Sequence, residues 1–183
     1  SSRTSKPDLK RVASLNTELG FRYMQEGEFD LAHKKLSKAL TADPNNPEAL
    51  NAMGLLKNVL GENEEAEESF LSAMKLEKDN PAIANNFGQF LCQKKKHVEG
   101  SKYLLQAAEN PMNKNQAAAY FNLGKCHKSA GKNDQAENYF EKSLNLSPNN
   151  GPTLIELAHL NLLKNNIMLA NEYFRKFVGE SDH

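Results

Sequence analysis

The 183-residue chain has no net charge, because 23 lysines and arginines meet 23 aspartates and glutamates. Such balance lacks the overall basic field on which nucleic-acid binders rely. There is no strongly acidic tail either. No stretch approaches the roughly 18 consecutive apolar residues that would read as a membrane-spanning helix. Two cysteines are too few for a disulfide-dense miniprotein or a four-thiolate zinc site. The chain opens Ser1-Ser2-Arg3 without a signal peptide, so the expectation is a mature form or an expression fragment with its targeting segment outside view. What is present is ordinary globular material, 39% hydrophobic and 25% charged, which argues against wholesale disorder. The length suits about one domain.

Self-similarity organises that domain. Small residues recur at Gly20, Gly54, Gly88, Gly124 and Ala158, with spacings of 34, 34, 36 and 34. A second small series, Ala32, Ala66, Gly100, Ala136 and Ala170, follows each member of the first at a constant distance of 12. Four residues later comes a large apolar side chain: Leu36, Phe70, Leu104, Phe140 and Phe174. Three further on stand Ala39, Ala73, Ala107, Ser143 and Phe177. Each unit reads as two helices. The first ends at Gly27, Gly61 and Gly131, or at Asn165, residues that tolerate the left-handed conformation; Lys95 departs from this series. The second ends in Asn/Pro-rich stretches such as Asp43-Pro44-Asn45-Asn46. Small residues where the helices cross allow the backbones to approach.

A helix–turn–helix unit with period 34 is the tetratricopeptide repeat (TPR). The expected fold is therefore all-α, a right-handed superhelical α-solenoid of five repeats at 13–46, 47–80, 81–116, 117–150 and 151–183. The third is two residues longer, and the extra pair is placed in the Asn110–Asn113 loop. Residues 1–12 are polar and basic and read as a flexible lead-in or a partly helical cap.

A TPR array presents the first helix of every repeat to a concave groove that holds another polypeptide. Asn51, Asn85, Asn86 and Asn122, with Gln89 nearby, fall on groove positions as an amide ladder. Amides offer donor and acceptor together and suit the backbone of an extended peptide, although they also suit bonds between repeats. Phe21, Met24, Leu55 and Val59 add an apolar stretch in the first two repeats, and Phe121 one in the fourth. Exposed apolar patches of this kind mark partner sites; the other reading has residues 1–12 folding back over them. Thr17 and Phe21 occupy the positions where chaperone-docking TPR grooves carry a carboxylate clamp, so a chaperone C-terminus is not the expected ligand.

Catalytic chemistry is not legible. Histidines 33, 97, 127, 159 and 183 fall on different repeats without metal-ligand spacing. Cys126 and His127 are adjacent, which points their side chains apart on a helix. The Lys94-Lys95-Lys96 run reads as a solvated turn. No enzyme, metal or cofactor is expected. Cys92 and Cys126 lie on neighbouring first helices, at similar heights. Spacing leaves open whether they are bonded or remain two buried reduced thiols.

The octapeptide Asn-Asn-Phe-Gly-Gln-Phe-Leu-Cys from Asn85 to Cys92 resembles the characteristic stretch of the type IV pilus biogenesis TPR lipoproteins, the PilF/PilW pilotins. The likeness continues through Asn122–Cys126, Leu154–Ala158 and Tyr173–Phe177. It implies an outer-membrane lipoprotein on the periplasmic face that helps the pilus secretin assemble or reach the membrane. The anchor would be an N-terminal lipid missing from this chain, with residues 1–12 as tether, and the protein is expected to be a monomer. An oxidising periplasm favours the Cys92–Cys126 bond. Family members look six-repeated, so a longer natural chain, or packing of Phe174 and Phe177 against another molecule, is also expected. The alternative function is a cytoplasmic TPR scaffold or co-chaperone with free thiols.

Overall fold

The first helix of each repeat starts on an Asp or Asn. Asp8, Asn46, Asn115 and Asn150 each accept on Oδ1 from the backbone N–H three residues ahead, and Asn80 accepts from Ala82 and Ile83. Those N–H groups have no partner inside a helix, and one such cap stabilises by about 1 kcal/mol. The computed structural model describes residues 6–179, and the described residues form ten α-helices and no strand. In chain order the pairs are α1 (Leu9–Gln25) with α2 (Phe29–Ala42), α3 (Pro47–Val59) with α4 (Asn63–Leu76), and α5 (Pro81–Gln93) with α6 (His97–Glu109). Then come α7 (Gln116–Ser129) with α8 (Asn133–Leu146), and α9 (Gly151–Leu163) with α10 (Ile167–Val178).

Within the 1–12 lead-in, residues 1–5 lie outside the described residues, and Leu9–Val12 form the first turn of α1, capped by Asp8, as the partly helical reading of this segment has it. The longer third repeat takes up its extra length between α6 and α7. There Asn113 Nδ2 donates to the Ala107 carbonyl at 2.8 Å and Gln116 Nε2 to that of Ala108 at 2.9 Å, closing the open end of α6.

Every turn inside a pair has one geometry. Gly27, Gly61 and Gly131 have φ near +77°, Asn165 +62° and Lys95 +63°. The following N–H reaches back five residues, from Glu28 to Tyr23 (2.8 Å), Glu62 to Lys57 (2.9 Å), Lys96 to Leu91 (2.9 Å), Lys132 to His127 (2.9 Å) and Asn166 to Asn161 (2.8 Å). This closure satisfies carbonyls that the helix end leaves open. Lys95 thus adopts the backbone of the glycine series although it carries a Cβ, a strain of about 1 kcal/mol.

The chain divides into two compact units, Ser1–Asn86 and Phe87–His183. In the first, Ala32, Leu36, Ala52, Met53 and Leu56 form a core cluster. A smaller cluster joins Ala13, Ala39 and Ala49. A Cβ on Gly54 would stand 2.8 Å from the Phe70 ring, so glycine there lets the ring lie on the α3 backbone. Burying that ring completely stabilises by about 1.5–3 kcal/mol.

In the second unit Gly124 and Phe140 repeat the arrangement at 2.6 Å. Gly88 and Gly100 face each other, a Cβ on either falling 2.8 Å from the other's carbonyl oxygen, and the Cys92 Sγ occupies the space beside Gly100. Ser143 Oγ donates to the Ala117 carbonyl at 2.8 Å and lies 3.3 Å from Thr153 Oγ1. In the fifth repeat Ala158 stands in the glycine position, and its counterpart Phe174 is 51% exposed rather than buried.

Candidate partner-binding surface

In the first unit the apolar groove candidates divide between core and surface. Phe21 and Met24 are half-buried and pack against the α1–α3 core cluster. Leu55 is half-buried, and Val59, one turn on, is 57% exposed. Of these candidates, the accessible apolar surface is therefore the far end of α3, with the exposed parts of Phe21 and Met24. Beside it, Lys57 Nζ bridges the carboxylates of Glu62 and Glu65, the second at 2.8 Å. Hydrogen bonding to Glu62 first, then Glu65, holds its ammonium above the ordinary value.

The amides correct one expectation. Asn51 is only 7% exposed, and its Oδ1 accepts from Asn86 Nδ2 at 3.2 Å. Asn51 is thus not an open rung for a peptide: a neighbouring helix covers it, and the pairing satisfies a buried carbonyl that would otherwise cost about 1–3 kcal/mol. Asn85 and Asn86 are half-buried. The second unit holds a similar pair, with Gln89 Nε2 donating to Asn122 Oδ1 at 3.1 Å. The amides register one repeat on the next.

Cys92 and Cys126 are joined by a disulfide, their Cα atoms 5.5 Å apart. It floors a hollow of about 190 Å³ whose walls are Gln89, Gln93, Asn122, Lys125 and Ser129. Lys125 Nζ lies 5.6 Å from the centre of the Phe121 ring, so that half-buried aromatic carries a cation at its rim. Further along α7, Lys128 Nζ donates to Glu156 Oε2 at 2.6 Å and approaches His159 Nδ1 at 3.2 Å. The Lys128–Glu156 ion pair has no signature in the spacing of the repeats. The flanking hollow has no signature in the sequence either, because it depends on where the disulfide holds α5 and α7.

His97 and His127 line one hollow, His159 lies beside Lys128, and His183 lies outside the described residues. Among the described residues no group of three or more His, Cys, Asp or Glu gathers where a metal would bind, and no helix is long and apolar enough to cross a membrane. The surfaces offer hydrogen-bonding amides, apolar edges and scattered lysines, which are means of holding a polypeptide.

Two family models match, a tetratricopeptide repeat over residues 79–149 and a TPR repeat over residues 20–58. The type IV pilus assembly protein PilF of Pseudomonas aeruginosa is 31% identical over 88% of this chain and 64% of its own length. The solved structure from the functional characterisation of Pseudomonas aeruginosa PilF covers 97% of this chain and 80% of that one, with TM-score 0.89 and 28% identity. The crystal structure of PilW, described as a widely conserved type IV pilus biogenesis factor, covers 92% of this chain and 77% of that one at 30% identity and TM-score 0.86. The chain belongs to the PilF/PilW family of TPR proteins. It spans just under two thirds of the length of the curated PilF protein it matches. Membership accounts for the repeat chemistry described above, and the PilF and PilW structures share its all-helical TPR fold.

Proposed function

We propose that this protein is a non-catalytic scaffold which assists secretin assembly or localisation during type IV pilus biogenesis, as a pilotin. The observation that carries the reading is the combined similarity to PilF and PilW across nearly the whole chain. A disulfide between α5 and α7 suits an oxidising compartment, which fits work on the periplasmic face of the outer membrane. Attachment there would be through a lipid on the N-terminal side of this sequence, with the residues before α1 as part of the tether.

The partner surface is the accessible apolar part of the first unit, Leu55 and Val59 with the edges of Phe21 and Met24. The Gln89–Asn122–Phe121 surface of the second unit supplies a further contact. Replacement of both Leu55 and Val59 with Glu places two charges on the far end of α3. The expected result in cells is loss of secretin multimers on a gel while the purified variant keeps its helical circular dichroism. Multimers at wild-type level with a folded variant would remove this surface from the proposal, and normal piliation without the protein would remove the pilus role.

A further inference from the structure

The second unit has another face, formed by α6, α7 and α8, which takes no part in the surface just described. Two hollows of about 150 and 300 Å³ share Val98, Ser101 and His127 and so form one trough. Its floor is apolar: Leu123 is buried, Leu105 and Tyr139 are half-buried, and Val98 at the edge is 84% exposed. The titratable groups lining it are Lys102, Lys132, His97, His127 and the Tyr139 phenol, with no carboxylate among them. Lys142 extends the rim, its Nζ 5.6 Å from the Tyr139 ring centre and 5.7 Å from that of Tyr120.

Lys102 and Lys132 of this lining belong to a lysine-rich stretch of the chain. Residues 94–132 contain eight lysines and only two acidic residues, Glu99 and Glu109, in a chain that is neutral overall. One position shows the reversal directly. The residue before the second helix of each repeat is Glu28 and Glu62 in the first two repeats but Lys96 and Lys132 in the third and fourth. Glutamate is favoured there by the positive end of the helix dipole and lysine is disfavoured. A local rule broken twice in the same direction marks a functional constraint better than a structural one.

We propose that this trough docks an acidic segment of a partner protein, a short stretch in which Asp or Glu residues flank Leu or Phe. The apolar side chain would enter between Leu105, Leu123 and Tyr139, and the carboxylates would meet Lys102, Lys132 and Lys142. Charge complementarity fixes the sign of the ligand, and the apolar floor requires a side chain rather than a bare anion. This site stands or falls independently of the pilus reading.

The test uses the full chain and a fluorescein-labelled peptide, Glu-Asp-Leu-Phe-Glu-Leu-Asp-Glu, followed by fluorescence anisotropy. Saturable binding is expected, weakening about tenfold or more when Lys102→Glu and Lys142→Glu are combined. Both lysines are exposed, so the fold should persist, and a thermal melt checks it. Binding should also weaken with added salt and when the peptide's Leu and Phe are changed to Ser. Absence of saturable binding, or equal binding by the double variant, would overturn the proposal. So would loss of binding in a variant carrying Leu55→Glu and Val59→Glu instead, or co-sedimentation with phosphatidylglycerol vesicles while the peptide is ignored.

Discussion

Gly124 lies under the ring of Phe140 so closely that a Cβ on the glycine would stand 2.6 Å from the ring carbons Cδ1 and Cε1. Phe140 is wholly buried, so the ring has nowhere to go. Gly124→Ala should destabilise the protein by about 1–2 kcal/mol, an overpacking strain of about 1–3 kcal/mol reduced by the better helix propensity of alanine. Gly151→Ala meets only Phe177, at 3.2 Å, and that ring is 45% exposed and can yield. Urea midpoints of the two variants should therefore move in clearly different degrees, with Gly151→Ala close to wild type.

The turn at Lys95 offers the opposite change. Its φ of +63° is the conformation that Gly27, Gly61 and Gly131 adopt at the same place. Lys95→Gly should raise stability by about 1 kcal/mol, since the left-handed penalty disappears. For a protein of this size that corresponds to about 2–4 °C in Tm. Gly131→Lys should lower it by a similar amount, and differential scanning calorimetry reads both.

The disulfide closes a loop across 34 positions. Replacement of both Cys92 and Cys126 with Ala should cost about 3–4 kcal/mol on the chain-entropy account. Reduction of the wild-type protein should cost a similar amount. Intact mass after alkylation should show no modified thiol before reduction and two after it.

One titration has a definite sign. Burial, reinforced by the Glu137 carboxylate and opposed by Lys164, raises the Glu141 carboxyl above its ordinary value of 4.5. A carboxyl with a raised folded pKa binds its proton more tightly in the fold, so its stabilising contribution is complete below the ordinary value and is lost as pH rises through the raised one. Glu141→Gln should accordingly stabilise the protein at pH 7 and have little effect at pH 4. Chemical denaturation at the two pH values decides the matter.

The helix pairs were legible because glycine, alanine and large apolar residues fall at fixed distances, and packing of one helix on another imposes those distances. The fate of the amides was less legible. Asn51 and Asn86 sit on positions that a groove would use, but an amide can satisfy a neighbouring repeat as readily as a ligand, and only the 3.2 Å approach distinguishes them. Lys95 concealed a turn because turn type is read from residue preference, whereas the backbone bonds on both sides dictate its conformation. The α6–α8 trough left no spacing signal: Lys102 on α6 and Lys132 before α8 are thirty residues apart in sequence and come to one trough only through the packing of the helices.

The covalent link between Cys92 and Cys126 also sets how this molecule would respond to mechanical load. Pulled from its two ends, the chain would transmit tension through the sulfur atoms, bypassing residues 93–125. Helix α6 and most of α7 would then be slack under a force that unravels the rest, and the surfaces they carry would outlast their neighbours.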